Sequence, residues 1–147
     1  MRSRNIFENR RYFATQKYRD CDDYVVKSYV MPKIKFMENN GVFNKDNLSI
    51  LDVGSGNGTF SRYFQRYARI IVSIDYSEQL IKDNQCCLKT IADAYKLSFK
   101  DSQFDIVFEA NLLHHVDRPD SVIGEMARCS SEYLVFIEPN RYNPIMF

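Results

Sequence analysis

The sequence predicts an α/β fold with a doubly wound, mostly parallel sheet. Short apolar segments alternate with helical segments from Leu48 onward, and polar residues follow each apolar segment. Strands that alternate with helices predict a parallel sheet with right-handed crossovers. The runs RIIVSI, FDIVF and EYLVFI are apolar almost throughout, which is typical of strands that are buried on both faces.

Size and composition indicate one globular domain. The chain has 147 residues, of which 45% are apolar and 27% charged, and its formal net charge is +1. This charge gives no electrostatic reason to expect a nucleic acid as partner, and no segment approaches the roughly 20 apolar residues of a membrane span. Four cysteines without a CxxC spacing and two adjacent histidines predict reduced thiols, no metal site and a cytoplasmic location.

The first elements are a leader and a helix. Residues 1–19 are locally basic and predict a solvated leader, which leaves residues 20–147 for the domain. Acidic residues at its start and Gly41 just past its end predict a helix over Asp20–Asn39. Pro32 should kink or split this helix, because proline has no backbone N–H.

The remaining elements alternate along the chain. The predicted strands are Ser49–Val53, Ile70–Ile74, Leu88–Ile91, Phe104–Glu109 and Tyr133–Ile137, and the predicted helices are Gly58–Tyr67, Ser77–Asn84 and Pro119–Ala127. In such a fold, ligands bind at the carboxyl ends of the strands, near the point where strand order reverses. Those ends carry Asp52 with three glycines, Asp75, Asp93, Glu109 with Asn111, and Glu138–Asn140.

The segment SILDVGSGNGTFS, residues 49–61, contains the most informative motif. Its glycines are spaced GxGxG, and glycine permits positive φ and a close approach of backbone to ligand. A phosphate-binding P-loop would need GK[ST] after Gly58, where Thr59 and Phe60 stand instead. A dinucleotide fingerprint, GxGxxG, would need glycine at position 59, so the motif matches that pattern only in part.

Asp75 follows Gly54 by about 20 residues, at the end of the second predicted strand. A carboxylate there can accept hydrogen bonds from both hydroxyls of a ribose. Together, the glycines and this acid indicate a ligand of the adenosine type. The alternative is a turn that merely needs glycine, followed by an acid that caps the next helix.

With these residues in place, the chain resembles the class I S-adenosylmethionine-dependent methyltransferases. The resemblance rests on LDVGSGNGTF, VSIDYSEQLI, ADAYKLSFKDSQFDIVFEANLLHHV and LVFIEPN, which occur in order between Leu51 and Asn140. The chain is most similar to the type 11 group, which includes the ubiquinone and menaquinone methyltransferases. The resemblance implies a Rossmann-like fold, S-adenosyl-L-methionine as cofactor and a small-molecule methyl acceptor.

The resemblance also implies roles for individual residues. Asp52 would lie near the methionine amino group, often through water, and Gly54, Ser55 and Gly56 would pass beneath the methionine. Asp75 would bind the ribose, whereas Tyr76, Asp93 and Ala94 would contact the adenine. Asn111 and Leu112 would contribute backbone contacts near the methionine end.

A base assists methyl transfer only when the acceptor is a hydroxyl or an acidic carbon. His114 and His115 follow the fourth strand, and His115 is the candidate for this catalytic role. In the alternative, one histidine packs beneath the loop while the other faces solvent. Glu109 is expected to support the strand end, and Tyr12, Phe13 and Tyr18 either form a lid or pack as ordinary aromatics.

Members of the family continue with two further strands, so we expect a C-terminally truncated domain that lacks them. The strand Tyr133–Ile137 would then be an exposed edge through which the chain self-associates. Two alternative functions stay open on the sequence. One is a non-catalytic module that binds S-adenosylmethionine or a partner, and the other is an NAD-dependent oxidoreductase, which GxGxG and Asp93 disfavour.

Overall fold

A computed structural model of the protein describes residues 23–86 and 88–139. Its five strands form one parallel sheet in the order β3-β2-β1-β4-β5. They are β1 Leu48–Val53, β2 Ala68–Asp75, β3 Leu88–Ile91, β4 Phe104–Ala110 and β5 Ser130–Ile137. Every predicted strand is present, within three residues of its predicted bounds, and the α/β doubly wound class is confirmed.

Among the described residues, four α-helices accompany the strands: α1 Met31–Asn39, α2 Thr59–Phe64, α3 Glu78–Asp83 and α4 Pro119–Cys129. A 3₁₀ turn, Leu113–His115, follows β4. The three helices predicted between strands are therefore confirmed, although α2 is shorter than expected. Within the described part of the chain, no helix has the length and apolar character needed to cross a bilayer.

The helix predicted around Pro32 changes geometry there instead of breaking. A π-helical segment, Val26–Val30, leads directly into α1, with Pro32 in the first turn. Proline has no N–H to donate, and the helical register changes from π to α next to it. The predicted start of this helix at Asp20, the leader over residues 1–19, and Tyr12, Phe13 and Tyr18 all lie outside the described residues.

Two apolar layers enclose the sheet. Successive strand residues point to opposite faces, so Ile50 and Phe108 face one layer while Leu51 and Val107 face the other. The first layer packs the sheet against the π-helical segment, α1 and α2, and the second packs it against α4. Phe108 contacts Phe60 and Phe64 of α2, with ring centroids 4.9 and 4.8 Å apart.

The prediction that EYLVFI, residues 132–137, is buried on both faces is wrong. β5 lies at the edge of the sheet and, among the described strands, pairs only with β4. Its residues are exposed or half-buried, and Phe136 retains 38% of its accessible surface. In contrast, FDIVF lies within β4 next to the centre of the sheet and is almost entirely buried.

The strand order reverses between β1 and β4, which are neighbours although two strands separate them in sequence. This reversal places the ends of β1, β2 and β4 side by side. Val53 is aligned with both Ile74 and Glu109, so the residues after each strand meet at one edge. The fold therefore gathers the polar residues that the sequence predicts for a site.

We expect Phe108→Ala to lower the free energy of unfolding by about 3–5 kcal/mol, because the ring is fully buried between two aromatic partners. Phe36→Ala is the control, since that ring keeps 68% of its surface exposed, and it should change stability by less than about 0.5 kcal/mol. Urea denaturation measures both values. Equal losses for the two variants would contradict the assigned core.

Candidate functional site

The glycine loop follows β1 and takes a conformation that ordinary residues resist. Gly54, Gly56 and Gly58 have φ angles of +69°, +55° and +80°, in the left-handed region that favours glycine. A Cβ atom on Gly54 would lie 3.1 Å from Leu112 Cδ1, and one on Gly58 would collide with the side chain of Asn84. Backbone strain and steric crowding thus both require glycine in this loop. The loop lies between the ends of β2 and β4.

Asp75 ties this loop to the end of β2. Its Oδ2 accepts a hydrogen bond from the Gly56 N–H at 2.8 Å, and its Oδ1 accepts one from the Ser77 N–H at 2.7 Å. Burial raises the pKa of Asp75, whereas these N–H donors oppose the shift. Each carboxylate oxygen has lone-pair capacity for a further donor, so the pair of oxygens can still accept from two hydroxyls.

Asp52, a predicted site residue, lies beneath the loop in a buried polar cluster. Sequence reasoning missed the other two members of this cluster, Ser61 and Ser73. The Ser61 hydroxyl donates to Asp52 Oδ2, and the Ser61 and Ser73 hydroxyls are 2.8 Å apart. Burial raises the pKa of Asp52 to about 7, to which the charge of Asp75 contributes, while Ser61 opposes the shift. Near neutral pH, a cationic ligand group above the loop would favour the ionised carboxylate.

The ends of β2 and β3 bring the predicted adenine contacts to the same edge. The Ala92 N–H donates to the Asp75 carbonyl at 3.1 Å, which places Asp93 and Ala94 directly beyond this point. Asp93 is exposed, and its Oδ1 accepts a hydrogen bond from the Tyr95 N–H at 2.9 Å. Tyr76 is 78% exposed, which is unusual for a tyrosine and leaves its ring available for stacking.

A turn after β4 closes the other side of the loop. Asn111 has a φ of +61°, and its N–H donates to the Ile137 carbonyl at 2.9 Å. Its side chain is hydrogen-bonded to the Tyr29 hydroxyl, which lies 3.1 Å from Asn111 Oδ1. Sequence reasoning missed Tyr29, because the 82 positions that separate it from Asn111 leave no local signal.

Two glutamates hold the turn through its N–H groups. Glu109 Oε2 accepts from Leu112 at 2.9 Å, and Glu138 Oε1 accepts from Leu113 at 2.7 Å. Glu109 is fully buried, and burial, with the nearby Glu138 charge, raises its pKa to about 8. These contacts agree with the supporting role expected for Glu109.

Both histidines of the turn are exposed, so the expectation that one of them packs beneath the loop is wrong. Their ring centroids are 4.0 Å apart. Partial burial and the neighbouring His114 lower the pKa of His115. The catalytic role of His115 stays a prediction. Within residues 23–86 and 88–139, no group of three or more His, Cys, Asp or Glu side chains could hold a metal.

The charge of the site discriminates between ligand classes. Residues 52–61 include no lysine or arginine, and the acids Asp52 and Asp75 flank the loop. An ionised Asp52 beneath the loop would disfavour a pyrophosphate there, whereas the two acids together suit a ligand that carries hydroxyls and a positive charge. The donor set therefore fits an adenosyl ligand with a cationic amino acid portion, and S-adenosylmethionine has both features.

Comparison with known proteins places the chain among methyltransferases. A family described as Methyltransferase domain matches residues 51–132, which is more than half of the chain. No curated protein matches.

Several solved structures share the fold. The PH0226 protein from Pyrococcus horikoshii is 24% identical, with a TM-score of 0.66 over 86% of this chain and 65% of its own. A S-adenosylmethionine-dependent methyltransferase from Aquifex aeolicus is 20% identical, with a TM-score of 0.67 over 84% and 73% of the two chains. The chain spans only 53% and 50% of the lengths of two further matched structures.

A phosphoethanolamine N-methyltransferase from Haemonchus contortus, in complex with phosphoethanolamine and S-adenosylhomocysteine, is 27% identical. Its TM-score is 0.51, and the likeness covers 56% of this chain and 19% of that one.

We expect Asp52→Asn to stabilise the chain increasingly as the pH rises from 4 to 8. The unfolded carboxyl ionises near its ordinary pKa, whereas the folded one keeps its proton until about pH 7, so the wild type loses stability across this interval. The variant has no such proton, and its amide oxygen can still accept from Ser61. The stability difference should grow by roughly 1–4 kcal/mol.

Urea denaturation of both proteins at pH 4, 6 and 8 measures this difference. Asp83→Asn is the control, since Asp83 is exposed, and its difference from wild type should stay flat. A difference for Asp52→Asn that is equally flat would show that Asp52 has no raised pKa.

Proposed function

The chain belongs to the methyltransferase-domain family, as its sequence predicts, and on this basis we propose that it transfers a methyl group from S-adenosylmethionine to a small-molecule acceptor. S-adenosylmethionine is the cofactor of this class. One observation supports the proposal most directly. Asp75 holds the positive-φ glycine loop in shape and retains lone pairs for a ribose at the edge where strand order reverses.

Each end of the cofactor has its own set of residues. Asp75 would accept from the ribose hydroxyls, and the exposed Tyr76 ring would lie against the adenine, near Asp93 and Ala94. Gly54, Ser55 and Gly56 would pass beneath the methionine portion, with Asp52 below them and Asn111 and Leu112 opposite. When bound, the cofactor supplies an activated methyl group on a sulfonium.

The protein contributes mainly placement and electrostatics. Methyl transfer is an in-line displacement, so the reacting atoms must be held about 3–3.5 Å apart and aligned. The contacts that fix the turn, from Glu109, Glu138 and Tyr29, give one wall of the site a defined position. The acids on the other side favour the cationic cofactor over a phosphate-bearing one.

Three observations support a small-molecule acceptor and a cytoplasmic location. The Haemonchus contortus neighbour binds phosphoethanolamine, a small molecule. The net charge of +1 provides no general attraction for nucleic acid. Cys86 and Cys129 are free and buried, as expected of a protein kept in a reducing compartment.

We expect Asp75→Asn to weaken S-adenosylmethionine binding by about 10- to 100-fold, because it removes a charge-assisted acceptor and replaces an oxygen by a donor. Isothermal titration calorimetry of the purified chain measures the affinity. Asp83→Asn, an exposed acid in α3, should bind as the wild type does.

Transfer of a tritiated methyl group to a small-molecule pool, lost in Asp75→Ala, would establish the activity. Binding of S-adenosylmethionine without transfer would favour the non-catalytic module. Binding of NAD alone would contradict the proposal in favour of an oxidoreductase.

The second part of the proposal concerns self-association through β5. A groove of about 570 Å³ runs between α1 and this strand, and Phe36, Met37, Val42 and Phe136 line it. Within the described chain the outer side of β5 has no strand partner, and such an edge can pair with a second copy.

We therefore expect the apparent mass to rise with concentration in size-exclusion chromatography with light scattering. Phe136→Lys should shift this equilibrium toward the monomer, because a lysine at an edge opposes pairing. Thr90→Lys, which introduces a lysine on the opposite edge strand, is the control and should associate as the wild type does. A wild-type monomer at every concentration would contradict self-association.

A further inference from the structure

A carboxylate–imidazole pair joins the ends of β4 and β5. Glu138, directly after β5, lies with its Oε2 2.7 Å from His114 Nδ1. Its other oxygen accepts from the Leu113 N–H at 2.7 Å, so one carboxylate fixes both the ring and the backbone next to it. The Asn111 N–H bond to the Ile137 carbonyl, at 2.9 Å, holds the same two ends together.

The pair lies beside the glycine loop. A Cβ on Gly54 would be 3.1 Å from the Leu112 side chain, so the turn that carries His114 packs directly against the loop. His114 follows Leu112 by two residues within this turn, and its side chain is 42% exposed. The ring is therefore carried by the turn that packs against the cofactor loop, and a small molecule can reach it from solvent.

The contact determines which ring nitrogen is available. A carboxylate only accepts, so His114 Nδ1 carries the proton and donates it, and Nε2 on the opposite side of the ring then has a free lone pair. Other titratable groups surround the pair. They are His115, whose tilted ring has its centroid 4.0 Å away, Glu109 under the turn, and the Tyr29 hydroxyl on Asn111. Burial raises the pKa of Glu109 to about 8, and Glu138 is the carboxylate whose oxygen lies 2.7 Å from His114 Nδ1.

We propose that His114 is the general base of methyl transfer, that Glu138 is its positioning residue, and that the acceptor presents a hydroxyl or an acidic C–H group. This inference rests on the proposed function. It differs from the sequence prediction, which selected His115, and the difference comes from the Glu138 contact.

The proton balance is simple. The acceptor's electron pair would form the new bond to the methyl carbon while the carbon–sulfur bond breaks, with its electron pair left on the sulfur of S-adenosylhomocysteine. The acceptor's proton would move to His114 Nε2. The imidazole becomes an imidazolium, with its charge stabilised by the Glu138 carboxylate through Nδ1–H. The exposed ring then releases the proton to water, which restores the neutral base.

The first experiment determines the tautomer of the His114 imidazole and needs no methyl acceptor. Two-bond ¹H–¹⁵N spectra of the full chain, labelled at histidine and recorded at pH 8.5, distinguish Nδ1–H from Nε2–H imidazole. His114 should be the Nδ1–H tautomer in the wild type and should shift toward Nε2–H in Glu138→Gln. Glu132→Gln is the matched control, because it makes the same change near the start of β5, at a residue that binds Lys45. A His114 signal that Glu138→Gln leaves unchanged would overturn the positioning role.

The second arm measures transfer of a tritiated methyl group from S-adenosylmethionine to catechol, a hydroxyl probe, and to acetylacetone, an acidic-carbon probe. His114→Gln should lower kcat about 100-fold or more with KM little changed, and its residual rate should rise with pH as hydroxide replaces the base. Glu138→Gln should show an intermediate loss that Glu138→Asp partly restores. Loss of methyl transfer in His115→Gln, with full activity in His114→Gln, would overturn the assignment of His114 as the general base. A wild type that methylates neither probe would overturn it as well.

Calorimetry separates this inference from the proposed function. His114→Gln should bind S-adenosylmethionine within about threefold of the wild type, because its side chain is not assigned to the cofactor. A wild type that does not bind S-adenosylmethionine refutes the proposed function itself. A wild type that binds it but methylates neither probe refutes only the base and its acceptor class.

Discussion

The site depends on one carboxylate, that of Asp75. It accepts from Gly56 in the loop after β1 and from Ser77 at the start of α3, and so it fixes two connections that the sheet alone would leave separate. The Ser55 N–H bond to the Ile74 carbonyl, at 2.9 Å, completes this attachment. The loop can take its positive φ angles because glycine tolerates them and because these bonds hold the backbone in place.

The buried acids at this edge of the sheet lower the stability of the folded chain. Asp52, Asp75 and Glu109 are acids whose pKa burial raises, and all three stand at the carboxyl ends of neighbouring strands. Negative charge buried in one place opposes folding at neutral pH unless a cation compensates it. Functional sites often retain such groups, and here their sign matches the sulfonium and ammonium of the proposed cofactor. Binding of that cofactor would therefore offset part of the cost of ionisation.

Local patterns predicted most of the fold. Apolar runs located all five strands, and the GxGxG spacing located the loop whose backbone the structure shows to require glycine. The apolar run alone could not show that β5 is an edge strand, because such a run has the same pattern at the centre and at the edge of a sheet, and the expectation of an edge came from the resemblance to the family.

Contacts between residues that are far apart in the sequence could not be predicted either. Tyr29 meets Asn111, and His114 meets Glu138 from 24 positions away, only because the register of β4 and β5 brings their ends together. The sequence therefore identified the side that would hold the cofactor in more detail than the turn opposite it, where the acceptor would react.

The central claim is that the Asp75-anchored loop binds an adenosyl-methionine ligand. Amide NMR of the ¹⁵N-labelled chain, titrated with S-adenosylhomocysteine and separately with NAD, tests it directly. The account predicts saturable shifts of the Gly56 and Ser77 amides with S-adenosylhomocysteine, while Gly41 at the end of α1 stays unchanged. Shifts of these two amides with NAD but not with S-adenosylhomocysteine would contradict it.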